Sequence, residues 1–249
     1  MHQPMTSFNF RKLFISHVIV LLLALSFIAP LTTFLWDMID IFCFRMLNEP
    51  LRSSVAWQVV WGLANHKWAD WVHDLVFLIL IIAAVRSFPK EERPRKIAEF
   101  IFLLLYIAAI IFFVNRVLFR EHLQLERISP TLALANPVKM SQVISWLKLK
   151  HTSTRSFPGD HATTAILFAL GYAYYAPRKL AIFGFLYGGL ICLPRLVAGA
   201  HWASDILVGS LSIALICLSW AFYSPLGCKI ICYIEKILKR FVRAYEYLI

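Results

Sequence analysis

Charge is scarce in this sequence. Of its 249 residues only 16% are charged and 60% are hydrophobic, and the mean hydropathy is +0.69. A soluble domain of this length covers its surface with far more charge, so lipid is the expected solvent for much of the chain. Cysteine is sparse as well. Cys43, Cys192, Cys217, Cys228 and Cys232 form an odd, scattered set without metal-ligand spacing, which speaks against a disulfide framework. Cys228 and Cys232, four apart after the last apolar run, read as apolar fillers rather than acylation sites. There is no internal repeat, no low-complexity tract and no separate soluble domain, so residues 1–249 read as one membrane-embedded unit. The net charge of +11 invites a nucleic-acid partner. The basic residues, however, sit in short hydrophilic segments between apolar runs, as membrane topology requires. An anionic headgroup or membrane surface is the expected partner, and no protein partner is indicated.

What is present is a series of apolar runs. A bilayer core of roughly 30 Å takes about 20 apolar residues in a helix. Six stretches meet or approach that length: Leu13–Trp36, Trp68–Val85, Ala98–Phe119, Ala162–Ala176, Leu180–Val197 and Ala203–Tyr223. The fourth is short, and its helix is expected to begin near residue 160. The fold class is therefore all-α, a polytopic membrane protein with six transmembrane helices. The first run is too long for a cleavable signal and carries no small-residue cleavage site; it reads as a signal anchor kinked at Pro30. Lys and Arg set the orientation. With the N-terminus inside, Arg11, Lys12, Arg86, Lys90, Arg93, Arg95, Lys96, Arg178, Lys179 and the basic C-terminal segment all fall on the inner side. The connection from Arg120 to Asp160 lies outside yet is rich in cations, which topology does not ask for. Within it, Val138–Leu149 is expected to lie amphipathically in the outer interface, with Lys139, Lys148 and Lys150 opposite its apolar residues.

Three clusters fall on that outer side. The third, Arg195, His201 and Asp205, bridges the fifth and sixth spans. If a helix begins near His201, Asp205 lies one turn on along the same face. A carboxylate there accepts the proton of one imidazole nitrogen and leaves the other nitrogen's lone pair free to attack. The plainer reading is an interfacial His and a capping Asp. The second cluster, Ser156-Phe157-Pro158-Gly159-Asp160-His161, puts a turn before a helix, whose first N–H groups suit an anion. His161 at that opening is placed to protonate a departing oxygen; the plainer reading is a turn with Asp160 as cap. The first cluster contributes Arg127, with Arg120 on a similar face and Arg116 one turn deeper. Arginines bind phosphate oxygens in pairs and keep their charge in a half-dry site; the plainer role is headgroup anchoring. Two histidines, a carboxylate and several arginines suit phosphoryl transfer through a phosphohistidine. A metal needs three or more convergent ligands with an open position, and cations crowded here repel a divalent ion. No metal and no cofactor are expected.

These clusters resemble the signatures of the type 2 phosphatidic acid phosphatase superfamily of membrane lipid phosphatases. Its third signature, Arg-x5-His-x3-Asp, is matched by Arg195, His201 and Asp205, with Pro194 in place of the usual Ser before it. The second, Ser-Phe-Pro-Ser-Gly-His in many members, stands here as Ser156 to His161. The first, Lys-x6-Arg-Pro, is degenerate, with Arg120 and Arg127 at its cationic positions. The resemblance implies an outer-face active site in which His201 attacks, Asp205 orients it and His161 is the acid. It also implies that Arg127 and Arg195, with Arg120, hold the phosphate and that no metal takes part. Two departures stand out: Gly159 replaces the phosphate-contacting Ser and leaves a backbone donor, while Asp160 replaces Gly and is placed to tune His161 or repel a second anion. Together with Arg127-x-Ser129-Pro130-Thr131-Leu132 and Pro194-Arg195-x4-Ala200-His201-Trp202-x2-Asp205-Ile206, they look like one subgroup from Gram-negative inner membranes. Its members move the distal phosphate of undecaprenyl diphosphate to the 1-phosphate of lipid A on the periplasmic side. The resemblance implies those two lipids as partners. Hydrolysis with water as acceptor and a non-catalytic transporter or scaffold are the competing readings. The spans carry no buried acidic residues that would mark a transport path.

Overall fold

The structure is a computed structural model that describes residues 7–147, 149 and 151–246, the side chains of 242–246 apart. Among the described residues it is helical, without strands, and Arg127 and Arg155 form one isolated parallel bridge. Five helical stretches among the described residues are long and apolar enough to cross a membrane: residues 10–28, 68–86, 93–123, 178–197 and 205–223.

The expected first span, Leu13–Trp36, is two helices rather than one kinked helix. Helix α1 (Phe10–Ile28) starts at Asn9, whose side chain accepts from the Lys12 N–H at 3.1 Å. It stops at Ala29, which is extended (φ −68°, ψ 130°) because Pro30 disfavours the helical region for the residue before it. Helix α2 (Pro30–Asn48) restarts with that proline in its first turn. The carbonyls of Ser26 and Phe27, left over at the end of α1, accept from the hydroxyls of Thr32 and Thr33 at 2.5 and 3.2 Å. The break sends α2 toward the later helices and makes Asp40 an interior residue.

After a short turn (Glu49–Arg52) come α3 (Val55–Asn65) and α4 (Trp68–Arg86), then α5 (Arg93–Ile110), which runs on as a π-helical segment over Ile111–Leu123. The expected amphipathic stretch Val138–Leu149 does not form. Among the described residues of the connection only two single-turn helices occur, α6 (Pro130–Ala133) and α7 (Met140–Val143). Val138, Met140 and Ile144 are instead buried with Leu51, Trp61 and Val197 in a small second core. Lys148 and Lys150 lie outside the described residues. Buried Asn48 ties this region together: its Nδ2 donates to the carbonyls of Val138 and Val197 at 3.0 and 2.9 Å, and its Oδ1 accepts from the Val138 N–H at 2.9 Å.

The main core is built around α8 (Asp160–Tyr175), which at 16 residues falls short of a full bilayer crossing by length. It packs against α5, α9 (Arg178–Val197) and α10 (Leu211–Tyr223), the last entered through a π-helical turn, Asp205–Ser210. Lipid offers no hydrophobic drive between helices, so close approach of backbones does the work. On α9, Gly188 meets Ala165 and Ala169 of α8. A terminal amphipathic helix, α11 (Pro225–Glu246), lies against α5, where Arg95 pairs with Glu235 at 3.1 Å. Large apolar side chains such as Phe14, Leu105, Phe183 and Leu186 stay exposed, as a lipid-facing surface requires.

A Cβ at Gly188 would stand 2.7 Å from the Ala169 Cβ and 3.1 Å from the Ala165 carbonyl, whereas one at Gly189 meets nothing within 4 Å. Gly188→Ala is therefore expected to destabilise the protein by about 1–3 kcal/mol, and Gly189→Ala to leave it unchanged. Thermal unfolding of both variants in detergent checks this; equal effects would refute this α8–α9 register.

Candidate functional site

The three sequence clusters converge at one end of the bundle. Gly199, with φ +69°, turns the chain out of α9 against Phe44 and Thr131 and sets the following residues down beside the start of α8. His201 lies there, buried. Its ring sits close to Gly159, where a Cβ would come 3.3 Å from both Cε1 and Nδ1. The first N–H groups of α8 have no intrahelical acceptor and carry the positive end of the helix dipole, so this is an anion-favouring corner.

The protonation of His201 follows from its partner. Nδ1 lies 2.7 Å from the Ser156 carbonyl, which can only accept. Nδ1 therefore carries the proton, and Nε2 keeps its lone pair. Asp205, expected to orient this ring, places Oδ2 3.5 Å from Nδ1, farther than the carbonyl. The same Oδ2 accepts from the Trp202 N–H at 2.9 Å and so fixes the turn that carries His201.

Asp205 belongs to a buried ionic cluster. Arg127 donates from Nη1 to Asp205 and, at 2.9 Å, to the Ser204 hydroxyl, and from Nη2 to Asp40 at 2.7 Å. Asp40 also accepts from the Ser204 N–H at 2.8 Å and from its hydroxyl. Asp40 and Asp205 are 2% and 0% exposed, and the guanidinium is flanked by the rings of Phe27 and Trp202. Arg127, expected at the phosphate, is held between two carboxylates that shape the turn carrying His201.

The second histidine sits across the corner. His161, in the first turn of α8, receives a hydrogen bond on Nε2 from Arg195 Nη2 at 3.0 Å. Arg195 Nη1 donates to Asn65 at the end of α3, at 2.7 Å. Asp70, in the first turn of α4, places Oδ1 3.3 Å from the same His161 nitrogen. A cavity of about 190 Å³ opens beside this group, lined by Asp70, His73, Asp74, Asp160, His161 and Thr164 among others.

Arg120 and Asp160 face each other. Arg120 Nη2 donates to Asp160 Oδ2 at 2.7 Å, and Asn115 donates to the other carboxylate oxygen at 3.1 Å. The negative charge of Asp160 is thus balanced by Arg120. Arg116 pairs with Glu121 at 3.5 Å. Among the described residues no group of three or more His, Cys, Asp and Glu side chains is placed to hold a metal ion. Sequence reading missed Asp40, Asn65, Asp70, Asn115 and Ser204. Asp40 carried a signal, since a carboxylate flanked by Met38, Ile39, Ile41 and Phe42 is costly unless paired, and so did Asp70 and Asn115 inside the runs Trp68–Val85 and Ala98–Phe119; Asn65 and Ser204 carried none.

Residues 128–227 match the PAP2 superfamily, a segment that holds Asp160, His161, Arg195, His201 and Asp205 and starts one residue after Arg127. The chain is similar to lipid A 1-diphosphate synthase of Escherichia coli (strain K12), at 28% identity over 231 residues, covering 92% of this chain and 94% of the relative. No solved structure matches it significantly.

Removing one member of a buried ion cluster strands the others. Asp40→Ala is expected to lower stability by about 3 kcal/mol or more, while Asp37→Ala, exposed on the same helix, changes it by less than about 0.5 kcal/mol. Thermal or denaturant unfolding in detergent reads both; a tolerant Asp40→Ala would refute the cluster.

Proposed function

We propose that this chain, a membrane enzyme with a PAP2 superfamily domain, moves the distal phosphate of undecaprenyl diphosphate to the 1-phosphate of lipid A through a phosphohistidine on His201. The observation that carries the reading is the 2.7 Å contact of His201 Nδ1 with the Ser156 carbonyl, which leaves Nε2 as a lone-pair donor at the N-terminus of α8. In the first half-reaction Nε2 attacks the distal phosphorus. The bond to the bridging oxygen breaks, and His161 gives that oxygen a proton. In the second, an oxygen of the acceptor phosphate attacks, the N–P bond breaks, and His161 takes back a proton where the acceptor supplies one. Arg195 and the free N–H groups of α8, including that at Gly159, hold the phosphate oxygens. Arg127 serves chiefly by fixing Asp205, and Arg120 is available to the phosphate only at the expense of its pair with Asp160. No metal takes part.

The choice of donor and acceptor is supported by the Ser156–His161 and Arg127–Leu132 sequence patterns and by the similarity to lipid A 1-diphosphate synthase along most of both chains. The distribution of Lys and Arg supports an inner-membrane enzyme with both termini cytoplasmic and the site on the periplasmic face. One observation favours hydrolysis as a second reading: the His161 side chain is 39% exposed beside a solvent-sized cavity, so water can reach it.

Purified protein given donor labelled on the distal phosphate, with and without lipid A, decides between the two. Label is expected on lipid A, and His201→Ala should reduce transfer by several orders of magnitude. Label appearing only as inorganic phosphate makes the protein a hydrolase. The mechanism needs an unprotonated Nε2 on His201 and a protonated His161, so the rate is expected to vary with pH. A flat profile between about pH 5 and 9 contradicts this pair. Activity is also expected to survive a strong chelator.

A further inference from the structure

The mechanism above needs a proton on His161 Nε2, yet that nitrogen accepts from Arg195 Nη2 at 3.0 Å. A guanidinium can only donate, so in this arrangement Nε2 is unprotonated. Asp70 Oδ1 stands 3.3 Å from the same atom. A carboxylate only accepts, so it favours the protonated ring. The two neighbours therefore select opposite protonation states of one nitrogen.

They differ in what else engages them. Arg195 extends from the end of α9 to the corner where phosphate is expected, and phosphate oxygens compete for its Nη2 donor. Asp70 belongs to α4, and its side chain is 51% exposed toward the cavity it shares with His73 and Asp74. The remaining charges around His161 are His201 across the corner and Asp160 on its own helix, and Asp160 is balanced by Arg120 at 2.7 Å. Among these carboxylates Asp70 is the one placed on Nε2 itself.

We propose that Asp70 is a positioning residue for the acid: once an incoming phosphate draws Arg195 away, Asp70 holds the proton that His161 takes from solvent in the cavity. The acid is then armed when phosphate is in place and at rest when it is not. The proton arrives from water, resides on Nε2, passes to the leaving oxygen as its bond to phosphorus breaks, and leaves His161 neutral for the second half-reaction. This inference rests on the reading of His161 as the acid.

The test uses the full chain in detergent and two donors. One is a short-chain phosphatidate, whose departing alkoxide needs a proton; the other is p-nitrophenyl phosphate, whose phenolate leaves without one. Rapid-quench phosphorylation of His201 is followed against pH. Removing a carboxylate beside an imidazolium makes it shed its proton more readily. For Asp70→Asn the loss of rate with rising pH is therefore expected about one pH unit earlier. At neutral pH it should react about tenfold more slowly with phosphatidate at little-changed KM, and within about twofold of the parent with p-nitrophenyl phosphate. Asp70→Glu, which keeps the charge, should recover most of the rate and the position of the alkaline limb. An equal loss with both donors and an unmoved limb overturns the proposal. His161→Ala, run alongside, is expected to lose far more rate with phosphatidate than with the nitrophenyl donor. If it slows both alike, His161 is not the acid, and the functional reading fails rather than the role of Asp70 alone.

Discussion

Arg127 carries its charge into a pocket bounded by two buried carboxylates and two aromatic rings, and much of the site depends on how that charge is met. Asp40 arrives from α2, Asp205 from the entry to α10, and Ser204 bonds to both Arg127 and Asp40. Desolvating three ions is costly unless their geometry and remaining hydrogen bonds are nearly complete. Here the carboxylate oxygens also accept from the Ser204 and Trp202 N–H groups. The turn from His201 to Asp205 is consequently fixed at both ends, and the imidazole is presented to the start of α8 rather than to lipid. Arg127, expected at a phosphate, contacts two carboxylates and a serine hydroxyl here.

The other half of the site is looser. Arg195, His161 and Asp70 come from α9, α8 and α4, and the histidine is partly open to solvent. That contrast fits the proposed roles, since an acid must gain and lose its proton while a nucleophile's lone pair must point one way. The apolar bundle beneath makes both possible. Gly188 lets α8 and α9 approach until backbone meets side chain, which holds the second and third clusters in one register.

The break at Ala29 links these halves to the fold. Had α1 continued through Pro30 as a single span, α2 would not pack on α9, and Asp40 would face lipid or headgroups. One backbone restriction before a proline, with Thr32 and Thr33 covering the freed carbonyls, converts a costly charge into part of the site.

The residues by themselves determined the solvent and the helical class, and they singled out both histidines as candidates. Low charge and long apolar runs admit few folds, because backbone groups in lipid must be satisfied within helices. His161, Arg195, His201 and Asp205 were legible because their spacing places them beside helix starts and ends. The sequence could not show the partners those residues take. Ser156 contributes a carbonyl, which every residue has, and Asp70, Asn65 and Asp40 lie many positions from the atoms they touch. Nor did it show that Val138–Leu149 packs inward, since apolar residues at that spacing suit an interface as well as a core. Tertiary structure decided that Arg127 braces the turn that carries His201 and that a carbonyl lies nearer His201 Nδ1 than Asp205 does. Spacing along a chain fixes which side chains share a helix face, whereas the distances that assign protons are set only when helices from distant segments meet.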